Sequence, residues 1–154
     1  MSAASAKGRA TPAGYSGKPL ARKLGLKPGM RASLRGAPPE YREWCELDEA
    51  GIEIVAATAR ALDFVHVFAT ARTQLERELK RLVPRLAPTG MLWISWPKKA
   101  ARVATDLSED VLRAVVLPLG LVDVKVCAVS EVWSGLKFVW RLERRAAISA
   151  GQKP

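Results

Sequence analysis

The sequence predicts an α/β protein in which helices cover both faces of a mostly parallel sheet and an antiparallel hairpin closes the C-terminal end. Three observations support this prediction: apolar runs of strand length, amphipathic segments of helix length, and two alternating segments near the C-terminus. A chain of 154 residues has the usual size of one domain. We therefore expect one domain over residues 18–145, with a flexible basic tail over residues 1–17 and a flexible tail over residues 146–154.

The first predicted elements are short and are separated by glycine and proline. Residues 18–25 predict a helix opened by a proline and closed by a glycine, and a strand follows over residues 30–35. Gly36 and two prolines end that strand before a short helix around residues 40–47.

Two compact apolar runs, residues 52–56 and 62–69, have the length and composition of strands that are covered on both faces. We expect both to be central parallel strands. About six residues join them, which is too few for the helical crossover that parallel neighbours need. This half of the sheet is therefore expected to be abbreviated or irregular.

The next segments alternate between helix and strand. An amphipathic helix with a predicted capping box, Thr73-x-x-Glu76, precedes a strand that starts at Gly90. Ser108 or Thr105 is expected to cap a second helix, whose first turn carries two acidic residues.

Residues 122–127 and 136–142 alternate between apolar and polar side chains, which is typical of a half-exposed antiparallel hairpin. Parallel strands linked by helices and followed by such a hairpin predict a Rossmann-like, methyltransferase-type three-layer sandwich.

The net charge of +10 is concentrated near the N-terminus. Residues 1–35 hold eight of the 25 basic residues and no acidic residue, and the rest of the chain carries only +2. A solvated tail explains this segment, and association with nucleic acid through it is an alternative. No apolar run has membrane-spanning length, so no membrane partner is expected.

The two cysteines lie far apart and lack metal-ligand spacing, which fits a reducing cytoplasm and predicts no metal site. The first residues lack the apolar stretch of a secretory signal, and a transit peptide is the alternative interpretation.

The turn after the first strand is poorly suited to a nucleotide cofactor. It reads RGAPPEY, in which Gly36 is the single glycine and two prolines have no N–H to donate. The second strand is also not followed by an acid that could hold ribose hydroxyls. We therefore expect neither S-adenosylmethionine (SAM) nor NAD to bind in the standard way, and the cofactor is unknown.

The segment after the strand at Gly90 is the candidate ligand site. Ser95, Trp96, Lys98 and Lys99 fall at the carboxyl end of a predicted central strand, where open α/β sheets bind ligands. Arg72 follows the neighbouring strand, and with Gly36 it completes the candidate set for a phosphate or carboxylate. A solvated charged loop anchored by a buried tryptophan is the alternative interpretation.

No catalytic residue is identified. His66 is the one histidine and lies within an apolar strand, so we expect a hydrogen-bonded core residue. A metal site or an acid-base pair is an alternative for Thr105, Asp106, Ser108, Glu109 and Asp110, but helix capping explains these residues with fewer assumptions. Cys127 is expected to pack on a strand.

Five segments carry a resemblance to a known family: GYSGKPLARKLGLKPG, WPKK, TDL, DVKVCAV and VWSGLK. Together they resemble the bacterial proteins of domain of unknown function family 3052, over residues 14–142. The resemblance implies the same fold and a bacterial cytoplasmic setting, and it implies no catalytic residues.

These observations lead to one functional hypothesis and two alternatives. The leading hypothesis is a noncatalytic Rossmann-like binding or regulatory module that lacks the standard SAM loop, with an anionic ligand or a protein as partner. The alternatives are a diverged transferase that acts on an anionic substrate and a protein that associates with nucleic acid.

Overall fold

A computed structural model describes residues 19–150 of the chain. Its strands form one sheet in the order β2-β1-β3-β4-β6-β5. Neighbouring strands from β2 to β4 pair in parallel, and β6 pairs antiparallel with both β4 and β5. The strands are β1 (Arg31–Arg35), β2 (Glu53–Ile54), β3 (Leu62–Phe68), β4 (Leu86–Pro97), β5 (Leu121–Ala128) and β6 (Trp133–Trp140).

Helices cover both faces of this sheet. They are α1 (Leu20–Leu24), α2 (Tyr41–Trp44), α3 (Leu47–Ala50), α4 (Arg72–Leu82), α5 (Glu109–Val116) and α6 (Leu142–Ser149). The predicted fold class is confirmed: an α/β sandwich with a mostly parallel sheet and a C-terminal antiparallel hairpin. None of the helices in the described range has the length and apolar character needed to span a bilayer.

Alternation along the strands separates two apolar clusters. Val65 and Val67 of β3 pack with α4 and α5 on one face, which we call the α4/α5 face. Phe64 and Phe68 of the same strand pack with α1, α2 and α3 on the other, which we call the α1 face. Successive side chains of a strand point to opposite faces, and this period of two produces the three layers.

The second strand differs from its prediction. The sequence predicted a central strand over residues 52–56, but β2 has two residues, both exposed, and lies at the edge of the sheet. Its residues Glu53 and Ile54 pair only with Arg31 and Ala32, at the start of β1. The prediction of a central strand is therefore wrong, because apolar composition alone does not fix the position of a strand in the sheet.

The short path from β2 to β3 follows from this pairing. Ala32 is the partner of Ile54 on one side and of Phe64 on the other, so β2 ends level with the beginning of β3. The chain therefore does not travel back along the sheet and needs no helical crossover. It passes the start of β1, where Arg31 N donates to Asp63 Oδ2 at 2.9 Å.

The first turn of α4 is held by a residue distant in sequence. The predicted capping box at Thr73 is wrong. Ala71 is the N-cap residue, and its side chain forms no hydrogen bond with the first turn of the helix. Instead, Arg72 N donates to Asp106 Oδ1 at 2.8 Å, and Thr105 Oγ1 donates to Thr70 O at 2.6 Å. Thr73 lies two residues after the N-cap, inside the helix, and cannot cap it.

This arrangement gives a matched pair of variants. We expect Asp106→Ala to lower the free energy of unfolding by about 1 kcal/mol, the usual cost of losing an N-cap acceptor. Thr73→Ala should change it by less than about 0.5 kcal/mol, as most exposed substitutions do. Urea unfolding of both variants measures the difference, and a larger loss in Thr73→Ala would contradict the assignment.

The C-terminal part confirms the second cap and the hairpin. Ser108 Oγ accepts from Val111 N at the start of α5. A bulge between Asp123 and Lys125 interrupts the β5 register and leaves Val124 54% exposed.

Part of the predicted C-terminal tail is helical. Residues 146–149 belong to α6, whose Ile148 packs on the α4/α5 face. The remainder of that tail and the tail predicted over residues 1–17 lie outside the described residues.

Candidate functional site

The carboxyl ends of the parallel strands meet at one edge of the sheet. β1 ends at Arg35, β3 at Phe68 and β4 at Pro97. Open α/β sheets bind ligands in the crevice beyond these ends. The side chains at this edge therefore decide which ligands the fold accepts.

The turn after β1 holds Gly36 against the end of β3. Gly36 has φ +74°, and a Cβ at this position would lie 2.7 Å from the carbonyl oxygen of Phe68. Glycine is required by both the left-handed backbone and the close approach. Pro38 and Pro39 follow and offer no N–H groups, so this turn has few donors for a phosphate or a carboxylate.

Aromatic side chains fill the α1 face of this edge. Phe68 is 2% exposed and has edge contacts with Tyr41 and Trp133, with ring centroids 5.6 and 5.1 Å apart. His66 stacks on the same ring at 4.4 Å. Protein side chains therefore occupy the space beside the turn at Gly36.

The second strand stops short of the edge. Ile54, its last residue, lies opposite Ala32, three residues before the end of β1. At the rise of a β-strand, this leaves β2 about 10 Å short of the carboxyl edge. A carboxylate after β2 would be too far away to bind ribose hydroxyls at that edge.

A groove of about 740 Å³ opens at the end of β4, on the α4/α5 face. Lys98 N donates to Val132 O at 2.8 Å, which fixes the start of the loop that carries the two lysines. Residues from three stretches of the chain line the groove: Trp96, Pro97, Lys98, Lys99, Val103, Thr105, Leu107, Ser108, Glu109, Asp110 and Ser134.

The groove has charges of both signs, but its acids are partly neutralised. Arg113 lies 2.9 Å from Glu109 and 3.5 Å from Asp110. Within residues 19–150, no carboxylate oxygen lies within 4.0 Å of the ammonium group of Lys98 or of Lys99. The side of the groove formed by the β4 loop is therefore basic and carries the chemistry for an anion.

The structure brings together three of the six predicted site residues, Trp96, Lys98 and Lys99. Gly36 and Arg72 do not line the groove. The Arg72 guanidinium pairs with Glu76 at 2.9 Å.

Ser95 is fully buried on the α1 face, since it precedes Trp96 by one residue and strand neighbours point to opposite faces.

The groove also contains hydroxyls of Thr105, Ser108 and Ser134, which sequence reasoning did not assign to a site. The pairing of Trp96 with Ser134 depends on hairpin register, for which the sequence carries no direct signal.

Ser95 belongs to a buried chain of hydrogen bonds. Tyr41 Oη lies 2.7 Å from His66 Nδ1, and His66 Nε2 lies 2.8 Å from Ser95 Oγ. Burial lowers the pKa of His66 from its ordinary value of 6.5 to about 3. His66 is therefore neutral near pH 7, and the prediction of a hydrogen-bonded core histidine is confirmed.

Comparison with solved structures shows the same fold in proteins that bind SAM. LepI in complex with SAM matches 80% of this chain with a TM-score of 0.52 and 12% identity, and the chain spans about half of LepI, with 47% covered. The magnesium protoporphyrin IX methyltransferase ChlM from Synechocystis PCC 6803, with bound SAM, matches 79% of this chain and 74% of its own, with a TM-score of 0.51 and 9% identity.

No protein-family model and no curated protein sequence matches the chain. The fold and the strand order define the class: an α/β protein with the Rossmann-like fold of SAM-dependent methyltransferases.

Proposed function

We propose that this protein is a noncatalytic binding module on an abbreviated methyltransferase-like fold, and that it does not bind SAM in the mode usual for that fold. One observation carries the proposal: β2 ends opposite Ala32, about 10 Å from the edge at which the fold binds its ligands. The prolines after Gly36 and the buried ring of Phe68 support it, since they leave few donors and little space beside that turn.

The groove at Lys98 and Lys99 is the ligand site of this proposed module. Its ligand is a small anion, because two ammonium groups and three hydroxyls line the groove, and Arg113, which also pairs with Asp123, offsets part of the charge of its two acids. Trp96 is 8% exposed and provides a mostly buried apolar base for the loop. The size of the groove suits a small metabolite better than an extended chain.

Calorimetric titration with SAM and with S-adenosylhomocysteine tests the proposed lack of standard cofactor binding. We expect no saturable heat at ligand concentrations up to about 1 mM. Cooperative urea unfolding of the same sample shows that the protein is folded. A micromolar dissociation constant for SAM would overturn the proposal.

Native mass spectrometry of gently purified protein tests the groove. We expect an anionic ligand to copurify with the wild type and to be lost from Lys98→Gln/Lys99→Gln. Lys80→Gln, an exposed change on α4 away from the groove, is the matched control and should retain the ligand. Equal ligand occupancy in all three proteins would exclude the groove as its site.

A diverged transferase is the second candidate function. The groove favours it because it lies at the carboxyl end of β4, the edge at which the fold binds its ligands. SAM binding that is weakened by the Lys98→Gln/Lys99→Gln change would make this the better assignment. We also propose membership in domain of unknown function family 3052 and a cytoplasmic location, on the segments that carry the resemblance.

A further inference from the structure

A second basic site lies on the opposite face of the sheet from the groove. Lys125 and Lys137 are directly paired across β5 and β6, and Lys137 is also the partner of Trp93 in β4. Trp93 belongs to the α1 face, whereas Trp96 of the groove belongs to the α4/α5 face. The two basic sites are therefore separated by the sheet.

The end of α1 brings further lysines to this place. Lys125 Nζ donates to the carbonyl oxygen of Lys23 at 2.9 Å, and a Cβ on Gly25 would lie 3.8 Å from Lys137 Nζ. Lys27 follows two residues after Gly25 and acts electrostatically on Lys137. We call Lys27, Lys125 and Lys137 the lysine cluster.

The lysine cluster has unfavourable electrostatics by itself. The pKa of Lys137 is lowered by partial burial and by two neighbouring charges, Lys125 and Lys27, both of which are positive. Like charges placed directly opposite each other on a strand pair destabilise a sheet. Glu46 and Glu49 line the pocket that contains Gly25 and Lys27, so acidic residues lie on the Lys27 side of the lysine cluster. Lys125 and Lys137 form no ion pair with any carboxylate of residues 19–150.

The surroundings of Lys137 are largely apolar. A Cβ on Gly25 would lie 3.2 Å from Met91 Sδ as well as 3.8 Å from Lys137 Nζ, so the thioether and the ammonium group share this site. Within residues 19–150, Lys137 Nζ forms no hydrogen bond with a side chain or a backbone group. An anion bound here would lie beside the partly buried ammonium group of Lys137, near the exposed side chains of Lys125 and Lys27, with Met91 as an apolar neighbour.

We propose that the lysine cluster is a binding site for a phosphate group. A phosphate matches the lysine cluster because it carries up to two negative charges on one compact group, and lysine binds phosphate as a point charge. A single carboxylate would leave most of the positive charge uncompensated. The three lysines come from separate segments of the sequence, KLGLKPG, DVKVCAV and WSGLK, which the fold brings together.

Calorimetry with inorganic pyrophosphate on the full chain tests this site. We expect Lys137→Gln to weaken pyrophosphate binding by about tenfold or more, as expected for loss of one charge-assisted contact. Lys80→Gln removes the same charge from an exposed position on α4 and should leave the affinity unchanged. Repeating the comparison in the Lys98→Gln/Lys99→Gln background, in which the two lysines of the groove are absent, assigns the binding lost with Lys137→Gln to the lysine cluster.

Thermal unfolding gives a second measurement that does not depend on the proposed function. Without pyrophosphate, Lys137→Gln should unfold at the same or a higher temperature than the wild type, since one repulsive charge is gone. Saturating pyrophosphate should raise the unfolding temperature of the wild type and have little effect on the variant. Equal affinity for pyrophosphate in the wild type and Lys137→Gln, or no binding to either, would rule out the phosphate site.

A single-stranded oligothymidylate distinguishes two sources of the phosphate group. If the phosphate belongs to a nucleic acid backbone, the oligonucleotide should displace pyrophosphate and bind less tightly as salt increases. If it belongs to a small molecule, pyrophosphate should bind more tightly than the oligonucleotide. Both results depend on Lys137 in the same way and support the site.

Discussion

Replacement of His66 by leucine is expected to lower the free energy of unfolding by about 4 kcal/mol. The imidazole bonds the hydroxyl of Tyr41 on one side and that of Ser95 on the other, and all three side chains are buried. Leucine fills a similar volume but removes the imidazole partner of both hydroxyls, and the Tyr41 hydroxyl then keeps only the weak hydrogen bond with the Cys45 thiol. Each buried unsatisfied group costs about 1–3 kcal/mol.

A triple variant separates hydrogen bonding from packing. Tyr41→Phe/His66→Leu/Ser95→Ala removes the two hydroxyls and the imidazole of this hydrogen-bonded series together. We expect the free energy of unfolding of this variant to lie within about 1 kcal/mol of the wild-type value. Urea unfolding followed by tryptophan fluorescence measures all three proteins. If the triple variant is as unstable as His66→Leu, packing of the imidazole ring is the main contribution instead.

Acidification is expected to destabilise the wild type through the same residue. The folded protein binds a proton at His66 only near pH 3, whereas the unfolded chain binds it below pH 6.5. The unfolded state thus holds more protons between these values, so stability falls as pH decreases. The contribution of His66 is complete above pH 6.5 and decreases by about 1.4 kcal/mol per pH unit below it.

Between pH 7 and pH 4.5, this effect should amount to about 2.5 kcal/mol. The triple variant is the control, because His66 is the one histidine of the chain. Its pH dependence reports all the other titrating groups. Subtracting it from that of the wild type isolates His66, and identical pH dependence of the two proteins would show that the pKa of His66 is the same in the folded and unfolded states.

The candidate site was only partly predictable from sequence. Lys98 and Lys99 were identified because a strand of apolar residues ends just before them, and the groove at the end of β4 contains both. Ser95 was assigned to the same site, yet it points to the other face and bonds His66. One residue of register decides between a ligand contact and a core hydrogen bond.

The sites assembled from distant segments could not be predicted in this way. The cap of α4 comes from Asp106, 34 residues away, whereas the sequence offered a local alternative at Thr73. The lysine cluster depends on the pairing of β5 with β6 and on the packing of α1 beside them. Such contacts leave no periodic pattern in the chain.

The sequence by itself determined the fold class and the order of most elements, because apolar periodicity and glycine or proline breaks act locally. Tertiary structure decided the rest. It reduced the second strand to two residues at the sheet edge, joined Tyr41, His66 and Ser95 in the core, and brought Lys27, Lys125 and Lys137 together. The physical reason is that strand order, register and the side of the sheet are set by contacts between distant residues, and these contacts determine which polar groups meet.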